Sequence, residues 1–408
     1  GAASGGVEGE TYGTFVLGRV VQEFEQYQAA GDLWRQTLQL IRTYQPSHAD
    51  SELLYELNWM AYVWLRGDAL RFGNYVSGRA YMVQALQLAQ ALGKRRCELH
   101  SLSALARTDF YQGDFVAAES GFTAALALAR ALGYRPVEMG AQGGLGDLLR
   151  LRGDYTTACS LLEQAVATAA DLALPYDESI LLASLIRLYC QLGNQATATQ
   201  RYEHLVQLLA HVKLPKECQL AGWLVAALMA HYAGKNQPAL HYAEQANQLT
   251  EQGDILFRLV DASLILGHAR AAVGQWQGAT TAFQEALVAF TKLGKQALAA
   301  EPQAGLAQIA LAQGDLAGAL AQVKAFLPAL AEQPHAGYNN PFFIYLTGYR
   351  VLAATGDARA AALLRQAYDL LQQDAAPLDD ETRQRFLTAV PIHRDLVTAY
   401  REGQAASG

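Results

Sequence analysis

The sequence predicts an all-α fold, a solenoid of helix–turn–helix units, on three observations. Glycines, several of them followed by aspartate or asparagine, recur with near-constant spacing. Alanines stand at fixed distances behind them, and no strand-like alternation competes with the helical period. The clearest turns are Gly113-Asp114-Phe115, Gly153-Asp154-Tyr155 and Gly193-Asn194-Gln195. The series continues at Gly234, Gly274, Gly314 and Gly356, and runs back to Gly73-Asn74-Tyr75 and Gly31-Asp32, with a period of 40 to 42 residues.

Each unit reads as helix A, a glycine turn and helix B. Glycine supplies the left-handed residue that ends helix A, and the following Asp or Asn caps helix B. Pro136, Pro175 and Pro215 mark starts of helix A, where the missing proline N–H has no helical partner to lose. Helix B often stops at Leu-Gly, as at Leu92-Gly93, Leu132-Gly133 and Leu293-Gly294. Alanine stands five residues past the turn glycine at 118, 158, 198, 239, 279, 319 and 361, and twelve past it at 85, 125, 165, 246 and 286. Between them comes a bulky residue such as Phe122, Leu162, Tyr202 or Phe283. Offsets of five, nine and twelve share one helix face, so helices are expected to approach closely there.

Several stretches depart from the pattern. In the Gly31 unit Gln36 and Thr43 replace the alanines, as suits a degenerate capping repeat. Arg66–Asn74 carries about six extra residues, read as an irregular connection, and Ala331–Pro341 reads as a long polar loop. Pro302 lies only 12 residues before its turn, so that helix A starts late or kinks. The expected division is a flexible N-terminus or cloning remnant at 1–11, a solenoid of about nine hairpins at 12–373, capping helices at 374–402 and a flexible tail at 403–408.

These motifs resemble the tetratricopeptide repeat. Leu145, Gly146, Gly153, Tyr155, Ala158, Leu162 and Ala165 match its pattern, and Leu266, Gly267, Gly274, Trp276, Ala279, Phe283 and Ala286 match it again. The family's usual period is 34, so each helix here is about one turn longer, as in the sensor solenoids of bacterial maltose-activator-like regulators and STAND signalling ATPases. The stretch Glu381–Tyr400 is similar to the tail that follows such solenoids. The resemblance implies a right-handed superhelix with helix A on its concave face. It also implies ligand-facing positions 13, 10, 6 and 3 residues before each turn glycine. Carried over, these columns supply His100, Arg107, Gly143, Asp147, Arg150, Arg187, His231, Asp261, His268, Gln308 and Arg350, with Tyr111 beside them. Arginine anchors at 107, 150 and 187 are expected at a concave site, with Gly140 and Gly143 as the groove floor. The Lys–Asn clamp of some tetratricopeptide co-chaperones has no counterpart, since the minus-10 column reads Ser103, Gly143, Ala183 and Leu224.

Composition points the same way. A net charge of −7 gives no general affinity for nucleic acid or an anionic membrane. Only 7 of the 31 basic residues are lysine, and arginine suits bidentate recognition of carboxylate or phosphate. Cys97, Cys159, Cys190 and Cys218 show neither CxxC pairing nor zinc spacing and read as reduced, buried thiols of a cytoplasmic protein. The longest apolar run, near Ala221–Ala230, is about half a membrane span. No P-loop, HExxH, GxSxG or EF-hand pattern occurs, so neither catalysis nor a cofactor nor a metal is expected. Two Arg-Gly-Asp tripeptides, at 66–68 and 152–154, are coincidental, the second being a repeat turn. The expectation is a non-catalytic sensor solenoid of a larger bacterial signalling ATPase or transcription regulator. Its partners would be a protein, a peptide or a small effector, and its own upstream domains if the chain is a fragment. The alternative is a free-standing scaffold that binds a peptide or protein segment in its groove.

Overall fold

The computed structural model describes residues 2–24, 26–44, 51–251, 256–332, 335 and 337–405. The described residues are helical hairpins without a strand, and they form two compact units, Gly1–Ala141 and Gln142–Gly408. Unit 1 holds α1 (Ala2–Glu23), α2 (Tyr27–Tyr44), α3 (Glu52–Arg71), α4 (Tyr75–Ala91), α5 (Arg95–Gln112), α6 (Phe115–Leu132) and the first turns of α7 (Arg135–Leu151). Unit 2 holds the rest of α7, then α8 (Tyr155–Asp171), α9 (Pro175–Gln191), α10 (Gln195–His211), α11 (Lys216–Tyr232), α12 (Asn236–Glu251) and α13 (Leu256–Ala272). It continues with α14 (Trp276–Lys292), α15 (Ala300–Ala312), α16 (Leu316–Glu332), α17 (Pro341–Ala354), α18 (Ala360–Ala375), α19 (Asp380–Thr388) and α20 (Pro391–Ala405). Within each unit every helix packs on its neighbour, and odd-numbered helices also stack on one another, α3 on α5 and α9 through α17 in sequence.

The turns form for the reasons the sequence suggested. Gly113 and Gly153 sit at φ 86° and 84°, and Asp114 and Asp154 accept from the N–H of Ala117 and Thr157 at 3.0 and 3.1 Å. After α8 the chain reads Leu172-Ala173 where the Leu-Gly stop would fall, and Ala173 is held at φ 51°. That conformation costs an alanine roughly 1–2 kcal/mol. The alanine columns fill the helix contacts: Ala118, Ala158, Ala198, Ala279 and Ala319 have no solvent exposure. Helical glycines bring helices closer still, since a Cβ at Gly146 would stand 2.7 Å from Leu162, and one at Gly267 would stand 2.7 Å from Phe283.

Some expectations change. Gly31 lies inside α2, buried, and is no turn; a Cβ there would meet Asp68. Arg66–Arg71 continues α3, which is simply a longer helix, so the 66–68 tripeptide is helical and the connection shrinks to Phe72-Gly73-Asn74. Residues 2–11 belong to α1, and α20 runs through Ala405; of the expected tail, 406–408 lie outside the described residues. Ala361 is exposed because α18 begins four residues past Gly356, two later than its counterparts. Pro302 falls in the first turn of a late-starting α15, preceded by a 3-10 turn at Gln296–Ala299. All four cysteines are free, but Cys97 and Cys159 are only half-buried. Among the described residues, one helix, α6, is long and apolar enough to cross a membrane, and its alanine face packs within unit 1.

Unit 2 closes on itself. The Tyr155 ring meets Phe386 of α19 with centroids 5.4 Å apart. A Cβ at Gly153 would stand 2.6 Å from Asp374, and one at Gly193 would stand 2.9 Å from the Arg385 carbonyl, so these turns carry the C-terminal helices directly. His393 of α20 packs on Phe342 and Phe386, with Nδ1 2.8 Å from the Phe386 carbonyl. Burial lowers its pKa to about 4, opposed by that hydrogen bond.

Two outcomes are expected. Ala173→Gly relieves the left-handed strain and, after the added chain entropy, raises stability by about 0.5–1 kcal/mol in urea unfolding. An unfolded histidine takes its proton near pH 6.5, whereas folded His393 stays neutral down to about 4. Stability therefore falls as pH drops through that window, and His393→Asn flattens the slope of unfolding free energy against pH there.

Candidate functional site

The expected binding stripe divides between the units. In unit 1, His100 and Arg107 stand on one face of α5, seven residues apart, with Tyr111 a turn further along. The His100 ring meets Trp59 of α3 and Tyr134 edge-on, at 6.3 and 5.4 Å between centroids, and burial lowers its pKa. Trp59 Nε1 donates to Ser101 Oγ at 2.9 Å, anchoring this aromatic wall. Arg107 is exposed, and the nearest atom to an added Cβ at Gly140 is its guanidinium, at 3.4 Å. Arg66 of α3 lies beside it, with Nε donating to Thr108 Oγ1 at 3.0 Å. Sequence reasoning missed Arg66 because it stands seven residues before Gly73, one position off the carried-over column.

In unit 2 the polar stripe turns inward and pairs with itself. Asp147 accepts from Ser184 Oγ at 2.9 Å and from Arg150 Nε at 3.4 Å. Arg150 is 6% exposed, and its Nη1 also donates to Gln191 Oε1 at 3.3 Å. Burial lowers its pKa, with Asp147 and Asp261 opposing and Arg187 adding to the shift. Arg187 of α9 pairs with Asp261 of α13 at 3.4 Å, reaching past α11. Between them sits Asn339, from the loop ahead of α17. Gln191 Nε2 donates to the Asn339 carbonyl at 2.8 Å, and Asn339 Nδ2 donates to Asp261 Oδ1 at 3.4 Å.

A second cluster adjoins. His268 Nε2 stands 3.3 Å from Glu301 Oε1, with its ring edge-on to Phe283 and Phe343. The His231 ring lies 6.2 Å from that of His268. Burial, then the like charge of His268, lowers its pKa to about 4, so it is neutral at neutral pH, and its Nδ1 is buried without a partner. Lys295 is buried as well, and burial lowers its pKa to about 8. Arg187, Gln191, His231, Asp261, His268, Glu301 and Asn339 share the lining of a cavity of about 50 Å³. That is space for a few waters, well below the roughly 300–1,000 Å³ of a drug-sized site.

Three expected residues play other parts. Gly143 is buried and no groove floor, because an added Cβ would collide with Leu181, so it permits α7 and α9 to approach. Arg350 pairs with Asp395 of α20 at 3.1 Å and so belongs to the C-terminal cap. Gln308 is half-buried outside the cavity lining. In unit 2 the expected concave site is a filled interior; of the three arginine anchors, Arg150 and Arg187 come together there and Arg107 belongs to unit 1. Gln191 and Asn339 escaped the sequence reading because neither occupies a repeat column.

The architecture is that of the tetratricopeptide-like repeat proteins, an array of stacked helical hairpins. Among solved structures, the chain is similar to the apo form of the quorum sensor NprR from B. thuringiensis, with TM-score 0.54, 12% identity, and 86% of this chain and 99% of that one covered. It is also similar to a Rap protein complexed with Competence and Sporulation Factor, with TM-score 0.52, 12% identity, and coverage of 85% and 98%. More distant is a STAND protein with a tetratricopeptide repeat sensor from Pyrococcus horikoshii, with TM-score 0.46, 12% identity, and coverage of 87% and 55%. In sequence the chain matches no protein-family profile and no curated protein.

The ion pair that spans α11 is testable by a double-mutant cycle. Arg187→Ala and Asp261→Ala are expected to couple by about 0.5–3 kcal/mol in urea unfolding, and additive effects would show that the pair does not join α9 to α13.

Proposed function

We propose that this chain is a non-catalytic recognition module, the sensor or regulatory part of a larger signalling protein, and that it takes an extended peptide in the interior of unit 2. One observation carries the reading: Asn339 is already held there as a peptide residue would be. Its backbone carbonyl accepts from Gln191 and its side-chain amide donates to Asp261. A main-chain contact gives affinity to any sequence, and a carboxylate acceptor favours a residue with a side-chain donor, as Asn339 supplies here. The Arg150 hydrogen bond to Gln191 and the Arg187–Asp261 ion pair hold the two receiving groups in place. With about 50 Å³ left over, an incoming segment must displace Asn339, which gives two states of different affinity, as a sensor needs.

The neighbours agree with this reading. NprR is described as a quorum sensor, and the Rap protein is seen with Competence and Sporulation Factor. An open adaptor groove finds no support in unit 2, where the inner polar groups pair with one another.

The test is a panel of short synthetic peptides with Asn at successive positions, including Tyr-Asn-Asn-Pro, followed by isothermal titration. Peptides with a suitably placed Asn are expected to bind. Gln191→Ala and Asp261→Ala should each weaken binding about tenfold or more, and Asn339→Gly should strengthen it by removing the internal competitor. Equal affinity across the wild type and these three variants refutes the proposal.

A further inference from the structure

Unit 1 carries a second feature, independent of the peptide reading for unit 2. Arg66 on α3 and Arg107 on α5 lie side by side, and among the described residues neither pairs with a carboxylate. Asp68, two residues on, is turned toward Arg35 and Arg71, and its carboxylate is the atom group an added Cβ at Gly31 would meet. Asp109, next to Thr108, is taken by Arg79 at 2.7 Å. Arg66 spends its Nε on Thr108, while its Nη2 is buried with no hydrogen-bond partner. Burying a guanidinium with a donor unmet, against a like charge, is costly unless an anion completes the set.

The surroundings leave room for that anion. Arg107 is exposed, and Gly140 on α7 offers no side chain over it, so the approach from solvent stays open. Burial first, then the Arg107 charge, pushes the Arg66 pKa down to about 10; it remains a cation at neutral pH. One superposed helix face further along, about seven residues at 1.5 Å each, stands the aromatic wall of Trp59, His100 and Tyr134.

We infer that Arg66 Nη2 and the Arg107 guanidinium form an oxyanion site on the inner face of unit 1 that takes a phosphate group. A doubly charged tetrahedral anion can accept from both guanidiniums at once and cancels their mutual repulsion. The phosphate could be free or the end of a phosphomonoester; in a nucleotide the base would lie toward the aromatic wall.

The experiment measures the unfolding temperature and calorimetric affinity of the full chain with inorganic phosphate, AMP and adenosine, against sodium chloride of matched ionic strength. Phosphate and AMP are expected to stabilise the protein saturably, and adenosine and chloride are not. Tighter binding of AMP identifies a phosphoester as the ligand, and equal binding identifies the free anion. Arg107→Gln, at an exposed position, should weaken binding about tenfold or more, with an unfolding temperature at or above the wild type when no phosphate is present. Arg66→Gln should abolish binding if it folds; Arg107→Gln decides the question if it does not. Arg130→Gln, on an exposed arginine already paired with Glu138, should leave affinity unchanged. Stabilisation no greater than that of chloride, or equal in wild type and Arg107→Gln, overturns the site.

Discussion

Everything in this fold depends on how closely successive hairpins can approach. Alanines with no exposed surface, at 118, 158, 198, 279 and 319, set that distance, and helical glycines at 143, 146 and 267 shorten it where a large partner side chain must fit. A methylene added at such a contact forces neighbours off their rotamers. The odd-numbered helices α9 to α17 stack in sequence, and in unit 2 their polar residues Arg187, Asp261, His268 and Glu301 line one cavity. The pairing of Arg187 with Asp261 across an intervening helix follows from this spacing.

Much of this was legible in the residues. The turn glycines, the Asp and Asn caps and the alanine columns are local features with a mechanism, and a repeat multiplies a weak signal until it is unambiguous. What failed was read through the same template where the chain departs from it. Gly31 looked like a turn because its spacing fitted, but nothing in its neighbours opposes a helix, and its small size serves a contact with Asp68 instead. Gly143 occupied a ligand column, yet whether a small residue leaves a gap or admits a neighbour depends on Leu181, a residue from the next repeat. Gln191 and Asn339 meet over 148 positions, and no periodicity announces such a contact.

The two inner faces also differ in how they treat charge. In unit 2, Arg150 is nearly inaccessible but receives Asp147 and Gln191, and Arg187 receives Asp261; desolvation is offset within the protein. In unit 1, Arg66 is given a hydroxyl and a second cation. A satisfied cluster rigidifies its surroundings, whereas an unsatisfied one keeps interaction free energy in reserve for something that arrives from outside.

The contact of Gly153 and Gly193 with α18 and α19 has a consequence for how unit 2 comes apart. A linear solenoid is held by nearest neighbours, so its ends fray and its repeats melt in sequence. Here the first turns of the unit carry the last helices, and Tyr155 packs on Phe386 more than 200 residues away. Closing so long a loop has an entropic cost before any contact rewards it, which makes that step late in folding. Once closed, the unit has no free end from which unfolding can spread, and its repeats are lost together.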